Sequence, residues 1–521
     1  MQTNVIKTSP IPGQKTGTAG LRKSTREYMK PNYLENFLQS CMNARKSLGH
    51  RLETLVVGGD GRYPGREFLP RIVRLLVANG VKRVLVVGSE GGDFTATTPA
   101  ISHIIRKYGT DGGFVLSASH NPAGPDGDFG IKVELGNGGG APESVTSLIA
   151  EEAERIAEYY TTDEDIGPYI EYVDPVKDYV ELLQSMFDFD AIKAWFDAGH
   201  TFRFDAMNAA SGPVARAIFE GIFNLPSEWL LRCDPMDDFG GIHPEPNPTY
   251  AKEFYDMMMG GVADFGAAED GDGDRNMVMG RGFYLAPSDC LAVMAKYHRL
   301  VPYFRGNFKG VARSRPTSCA VDAVAKAGGF PIFATPTGWK WFGNLLDAGL
   351  ISLCGEESFG QGGDHIREKD GTFAVLYWLN IMGATGLSLE ELAREMWEEG
   401  GRVFYSQYSY EGVDEGAAQQ LLKHAAAVCE RFDYEDPATG EFAKDQGFET
   451  HLADGTRVFF RLSGTGTIGA TLRFYVERVE DNPELFGASS LDYFAKTRDG
   501  VSDLFRLRDF FGPSVRPTSI T

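Results

Sequence analysis

With 521 residues, 42% hydrophobic and 24% charged, the chain is too long for one ordinary core, and about three or four domains are expected. Its 51 basic and 72 acidic residues give a formal charge of −21, which repels nucleic acid and anionic lipid and excludes both as expected partners. Six cysteines with no CxxC pair, an N-terminus without a signal-like apolar core and no apolar run near ~18 residues set the expectation of a cytoplasmic protein with reduced thiols.

In chain order, TLVVGGDGR predicts a strand and glycine loop, and LPRIVRLLVANG a helix ending at Gly80. VKRVLVVG is the next strand, ISHIIRKYG a helix with Gly109 at its C-terminal cap, and DGGFVLSAS a further strand. Alternation of this kind predicts α/β layers on a mixed sheet. The pattern restarts near Phe202 (FRFDAMNAASG) and again near Gly310 (GVARSRPTS), as related α/β domains would. After about Ser406 the character changes to a helical stretch, EGAAQQLLKHAAAVCERF, and a hairpin-like pair, RVFFRLSGTGTIGATLRFYVE. That last part reads as a smaller α+β domain. The boundaries predicted are 1–195, 196–306, 307–408 and 409–521.

Many of the 62 glycines fall in clusters rather than in a linker, which suits backbone that approaches ligands closely. Four loops carry chemistry. The first, Ser117-Ala118-Ser119-His120-Asn121-Pro122, follows the strand GFVL, where α/β sheets present reactive groups. With His120 adjacent and Lys132 downstream, Ser119 can accept and return a phosphoryl group; read alone, the segment is equally a Ser-rich turn closed by Asn-Pro. It is not a G-x-S-x-G elbow, which disfavours hydrolase chemistry. In the second, Asp270, Asp272 and Asp274 alternate with glycine, so three carboxylates can face one hard cation. An EF-hand is excluded, because its Gly and bidentate Glu positions are here Arg275 and Arg281.

The third loop, Gly355-Glu356-Glu357-Ser358-Phe359-Gly360, is followed by DHIREKDG. Its carboxylates and hydroxyl suit sugar hydroxyls, and His365, Arg367 and Lys369 could meet phosphate or exchange protons; in isolation the loop is a charged surface turn. The fourth is Arg461-Leu462-Ser463-Gly464-Thr465-Gly466-Thr467, with Arg473 further on. Backbone N–H groups, hydroxyls and two guanidiniums make a phosphate cradle without the spacing of a nucleotide P-loop.

In this order and spacing the four loops resemble the α-D-phosphohexomutase superfamily, and within it the phosphoglucomutase branch. The segments GTAGLRK, VVGGDGR, NPAGPDGDFGIKVELGNGG, FGGIHPEPNPTYA, ATPTGWKWFGN and GEESFGQGGDHIREKDG extend the likeness over nearly the whole chain. The resemblance implies four domains around a central cleft, three of them related α/β units. It implies Ser119 as phosphoryl carrier, with its phosphate joining Asp270, Asp272 and Asp274 around Mg²⁺, and Arg275 beside them. Glu356 and Ser358 match the sugar-binding pair, and Thr337 and Gly338 the specificity loop. Arg461, Ser463, Gly464, Thr465, Gly466, Thr467 and Arg473 match the loop for the non-transferring phosphate, and Arg22 a residue at the phosphate-binding end.

The activity implied is interconversion of glucose 1-phosphate and glucose 6-phosphate through glucose 1,6-bisphosphate, by a monomer whose partners are small hexose phosphates. Lys369 is the first candidate for the general base, ahead of His120 and Lys132. The chain departs from the pattern at Ser117, Ala123 and Ala19, all without changing a charged group. Mannose or pentose phosphate mutases, and a silent scaffold, are the rivals. A scaffold would be expected to have lost the serine, carboxylates or arginines that this chain retains.

Overall fold

A computed structural model describes residues 2–17, 20–91, 94–463, 470–495, 497, 500–501, 505–511 and 518–520. The chain forms two compact units. The first comprises Met1–Tyr284, Arg299–Asn307 and Ser358–Ser388; the second comprises Leu285–His298, Phe308–Glu357 and Leu389–Thr521.

In the first unit, strands β1 (Leu21–Ser24), β2 (Thr54–Gly59), β3 (Arg83–Val87), β4 (Gly112–Leu116), β5 (Asp128–Leu135) and β6 (Ile170–Val173) form one sheet in the order β1-β5-β4-β2-β3-β6. The run β4-β2-β3-β6 is parallel, whereas β5 lies antiparallel to both β4 and β1. The central strands are buried on both faces and accordingly read as near-continuous apolar runs. Helix Thr98–Lys107 starts where the Thr97 hydroxyl accepts the N–H of Ala100. Its Ile101, Ile104 and Ile105, spaced to share one face, pack into Val56, Leu85, Val87 and Val115 of the sheet.

The second sheet runs through β7 (Phe202–Asp205), β8 (Leu230–Leu231), β9 (Phe265–Glu269), β10 (Asn276–Gly280) and β11 (Phe283–Tyr284), ordered β8-β7-β9-β10-β11. Again a parallel core ends in an antiparallel turn-back, here β9 to β10. Helix Gly371–Thr385, also in this unit, is buried over most of its length. Its N-cap Asp370 accepts the N–H of Phe373 and also binds His365 Nε2 at 2.8 Å and the Tyr179 hydroxyl. Lys369 is thereby held just ahead of a rigid helix start.

The second unit contains a parallel set β13-β12-β14, built from β12 (Val311–Ser314), β13 (Ile332–Thr335) and β14 (Leu353–Glu356). It ends in an antiparallel sheet of β15 (Arg402–Val413), β16 (Glu430–Arg431), β17 (Phe448–His451), β18 (Arg457–Ser463), β19 (Ala470–Glu480) and β20 (Thr518–Ile520), ordered β16-β17-β18-β19-β15-β20. Helix Glu415–Val428 contributes Ala418, Leu421 and Ala425 to the core on this sheet. Three α/β domains and a C-terminal α+β domain are thus present. All six cysteines are free thiols. Among the described residues no single helix is long and apolar enough to cross a membrane.

Candidate active site

The antiparallel turn-backs of the first unit carry the serine and aspartate candidates. Between β4 and β5 the chain passes through Ser119, whose backbone is left-handed at φ 52°, an unusual conformation for a residue with a side chain. Arg62 holds that turn. Its guanidinium is fully buried, pairs with Asp60 at 2.8 Å and donates to the carbonyls of Asn121 (3.3 Å), Asp128 (3.1 Å) and Ser119. The motif GGDGR holds both Asp60 and Arg62, but the carbonyls that Arg62 binds lie 57 to 66 residues away, so local pattern carries no signal for its task.

Between β9 and β10 lies the acidic loop. Asp270, Asp272 and Asp274 are buried, and one carboxylate oxygen from each lies within 4.8 Å of the others. Gly271 sits so close to the serine loop that a Cβ there would be 2.5 Å from the Ser119 carbonyl oxygen. The two loops therefore form one centre. Ser119 Oγ donates to Asp270 Oδ2 at 2.9 Å, and His120 Nδ1 lies 3.4 Å from Ser119 Oγ. Lys132 Nζ reaches Asp272 at 2.7 Å and Asp274 at 3.3 Å, while Lys369 Nζ is 3.0 Å from Asp274.

Burial and the two neighbouring carboxylates push Asp270 well above its usual pKa. Burial raises Asp272 too, but Lys132, together with Thr98 and Lys369, outweighs that and holds its carboxyl well below the usual range. For Lys132 the same two carboxylates outweigh burial and push its ammonium up. Burial, together with Arg275 and Arg22, holds the His120 imidazole far below its ordinary value, so it is neutral near pH 7. The Arg22 guanidinium, itself lowered by burial, lies in the field of Asp272 and Asp274. Arg275 Nε is 3.9 Å from Asp274. Two further carboxyls escaped the sequence reading: Glu134 and Glu368, both buried near Lys132 and Lys369 and both pushed up by burial.

The donors fit a hard divalent cation. They are all carboxylate oxygens, and Asp272 Oδ1 and Asp274 Oδ1 are buried with no hydrogen-bond partner, a costly state that a cation would relieve. Of the candidates in DHIREKDG, Lys369 reaches this centre. His365 is instead bound to Asp370, and Arg367 donates to the carbonyls of Asp364 and Ile366.

The second unit holds the two arginine candidates and, of the sugar-site candidates, Thr337, Gly338 and Glu356. Glu356 Oε1 accepts the N–H of Gly338 at 3.2 Å, joining the specificity loop to the end of β14, and the Thr337 hydroxyl beside it is buried and unpartnered. Glu357 braces the turn through Ser314 (3.0 Å) and Thr317 (3.1 Å). Ser358 falls in the first unit. In the C-terminal sheet Arg461 and Arg473 are direct cross-strand partners of β18 and β19. Like charges directly opposite each other are unfavourable unless an anion joins them. Arg461 is fixed by the Tyr475 hydroxyl at 3.1 Å, and Arg473 Nε is buried without a partner. Ser463 ends β18, while Gly464, Thr465, Gly466 and Thr467 lie outside the described residues.

Family models match along the chain: alpha/beta/alpha domain I of phosphoglucomutase/phosphomannomutase over residues 13–160, domain II over 177–282, domain III over 287–399, and the C-terminal domain of phosphoglucomutase-1 over 423–518. The chain is 44% identical to a phosphoglucomutase of Rhizobium radiobacter, covering 97% of this chain and 96% of that one. It is 42% identical to a probable cytoplasmic phosphoglucomutase of Arabidopsis thaliana, with 100% of both chains covered. The crystal structure of the Paramecium exocytosis-sensitive phosphoprotein parafusin, a phosphoglucomutase in its open form, superposes with a TM-score of 0.91 at 40% identity over 99% of each chain. With the serine, carboxylate and arginine loops placed as described, the chain belongs to the phosphoglucomutase/phosphomannomutase family.

Proposed function

We propose the following route for the phosphoglucomutase reaction of this chain. Phosphorylated Ser119 gives its phosphoryl group to the free hydroxyl of a bound glucose phosphate. The P–O bond to Ser119 Oγ breaks as a bond to the sugar oxygen forms, giving glucose 1,6-bisphosphate. The bisphosphate turns over, and Ser119 Oγ takes the other phosphoryl group, releasing the isomer. Mg²⁺ held by Asp270, Asp272 and Asp274 would supply charge neutralisation at the transferring group.

The remaining work falls to the chain's own groups. Lys369 is the group proposed to take the proton of the attacking sugar hydroxyl, a step that requires its amine form, while Lys132 stays an ammonium that balances the carboxylates. The proton that Lys369 removes from the sugar is the one Ser119 Oγ needs as it leaves. When Ser119 attacks in the second half, neutral His120 takes that proton and it returns to the sugar oxygen that leaves, so none is gained or lost over the cycle. Arg461 and Arg473 hold the phosphate that is not being transferred, in the two-guanidinium manner suited to such dianions. Glu356 and Ser358 bind sugar hydroxyls, with Thr337 and Gly338 shaping the site for glucose. The relatives named cytoplasmic support a cytoplasmic location.

The observation that supports this route is the hydrogen bond from Ser119 Oγ to Asp270 Oδ2 at 2.9 Å, which joins the serine proposed as carrier to the carboxylates proposed to hold the cation. A coupled assay of glucose 1-phosphate conversion, with Mg²⁺ and a trace of glucose 1,6-bisphosphate, tests it. Turnover should collapse in Ser119→Ala. Turnover persisting in that variant would mean the carrier lies elsewhere, and stronger conversion of mannose 1-phosphate would overturn the glucose assignment.

A further inference from the structure

We infer that His120, His243 and Glu245 form a second cation site, of the nitrogen-rich kind that takes Zn²⁺ or a similar late transition metal, separate from the aspartate cluster. The inference goes beyond the phosphoryl-transfer route and does not depend on it. One ligand atom from each of the three side chains lies within 4.8 Å of the others. His243 Nε2 is buried and makes no hydrogen bond, yet lies 3.4 Å from Glu245 Oε2, about the separation of two ligands on one tetrahedral ion. Two imidazoles, one carboxylate and an open position match zinc chemistry, whereas the all-oxygen aspartate set suits Mg²⁺.

The three residues are held independently of any metal. His243 and Glu245 flank Pro244, whose carbonyl accepts the N–H of Gly271 at 3.2 Å, tying their loop to the acidic loop. The Tyr250 ring packs tilted against the His243 imidazole, with centroids 3.9 Å apart and planes 31° from parallel, and limits its rotation. Glu245 divides its oxygens: Oε1 lies 3.7 Å from Arg275, while Oε2 faces His243. A cation at this point therefore meets a carboxylate oxygen not taken by the guanidinium. His120 is also the imidazole beside Ser119 Oγ, so filling this site withdraws it from the serine. Zn²⁺ should then inhibit turnover even when Mg²⁺ is saturating.

Equilibrium dialysis with Zn²⁺, and with Co²⁺ as a visible reporter, tests this in the full chain under excess Mg²⁺. One Zn²⁺ should stay bound in the wild type and in Asp272→Asn, with the intense absorption of tetrahedral Co²⁺. In His243→Ala and in Glu245→Gln its affinity should fall about 10-fold or more, while Mn²⁺ binding at the aspartates persists and reports an intact fold. Complete release of Zn²⁺ by Mg²⁺, loss of the site in Asp272→Asn, or unchanged retention in both His243→Ala and Glu245→Gln would overturn the proposal.

Discussion

At the scale of single residues, the arginine pair and the buried Arg62 make opposite demands on stability. Arg461 and Arg473 face each other across β18 and β19, so each weakens the sheet while preparing it for an anion. Arg473→Met should therefore cut kcat/KM by about 10- to 100-fold, the cost of one charged hydrogen bond. The same change should leave the protein as stable or more stable by up to about 1 kcal/mol, read from urea unfolding. A loss of both activity and stability would mean that the arginine is a structural group. Arg62 differs, because its fork binds a carboxylate and three carbonyls at once. Arg62→Lys keeps the charge and loses the fork. It should lower kcat by about 10²-fold through displacement of Ser119, with KM for glucose 1-phosphate changing much less. The candidates Ser119, Asp270, Asp272, Asp274, Arg461 and Arg473 could be singled out in sequence because each sits in or beside a short loop of hydroxyl, carboxylate or guanidinium groups that follows a strand pattern. Arg62, Glu134 and Glu368 could not, because tertiary contacts alone define their roles.

Elements repeat the same logic. In both α/β sheets of the first unit the reactive loop joins the last parallel strand to an antiparallel neighbour, β4 to β5 and β9 to β10. The alternation of strand and helix, the Gly80 and Gly109 stops and the late hairpin were readable from periodicity. The end of EGAAQQLLKHAAAVCERF was not. The helix stops at Val428, and Glu430–Arg431 pairs with Phe448 and Glu449, a partner that helical periodicity cannot announce. Packing sets the cost of core changes. Ile104 is fully buried between helix Thr98–Lys107 and the sheet, so Ile104→Ala should cost about 2–5 kcal/mol, measured by chemical denaturation. A pH effect belongs to helix Pro287–Lys296. Burial pushes Asp289 on that helix up to about 7, only partly offset by Arg402, and its Oδ1 has no partner. The folded state thus keeps a proton that the unfolded state releases near pH 4. Stability conferred below that point is lost as pH rises through about 7, a cost on the order of 4 kcal/mol by pH 8. Asp289→Asn should flatten the fall in Tm between pH 5 and pH 8; an unchanged slope would place the titration elsewhere.

Over the whole molecule, charge is distributed by task rather than spread evenly. The formal charge is −21, yet Arg461 and Arg473 oppose each other across β18 and β19, and Lys132 and Lys369 pair with the clustered aspartates. The cation cluster lies wholly in the first unit and the arginine pair wholly in the second. Ligands that bind the native state stabilise the part they touch, by about 2.7 kcal/mol at a hundredfold excess over Kd. Mg²⁺ alone should therefore slow hydrogen exchange in peptides around the serine loop and residues 269–276, and leave the β18–β19 hairpin unchanged. Inorganic phosphate should slow exchange in that hairpin. The two effects report different residues, so Asp272→Asn should abolish the first and Arg473→Met the second, each sparing the other. Protection of the hairpin by Mg²⁺ in the absence of any phosphate would contradict this division. The cation and the arginine pair would then have to be treated as a single coupled site.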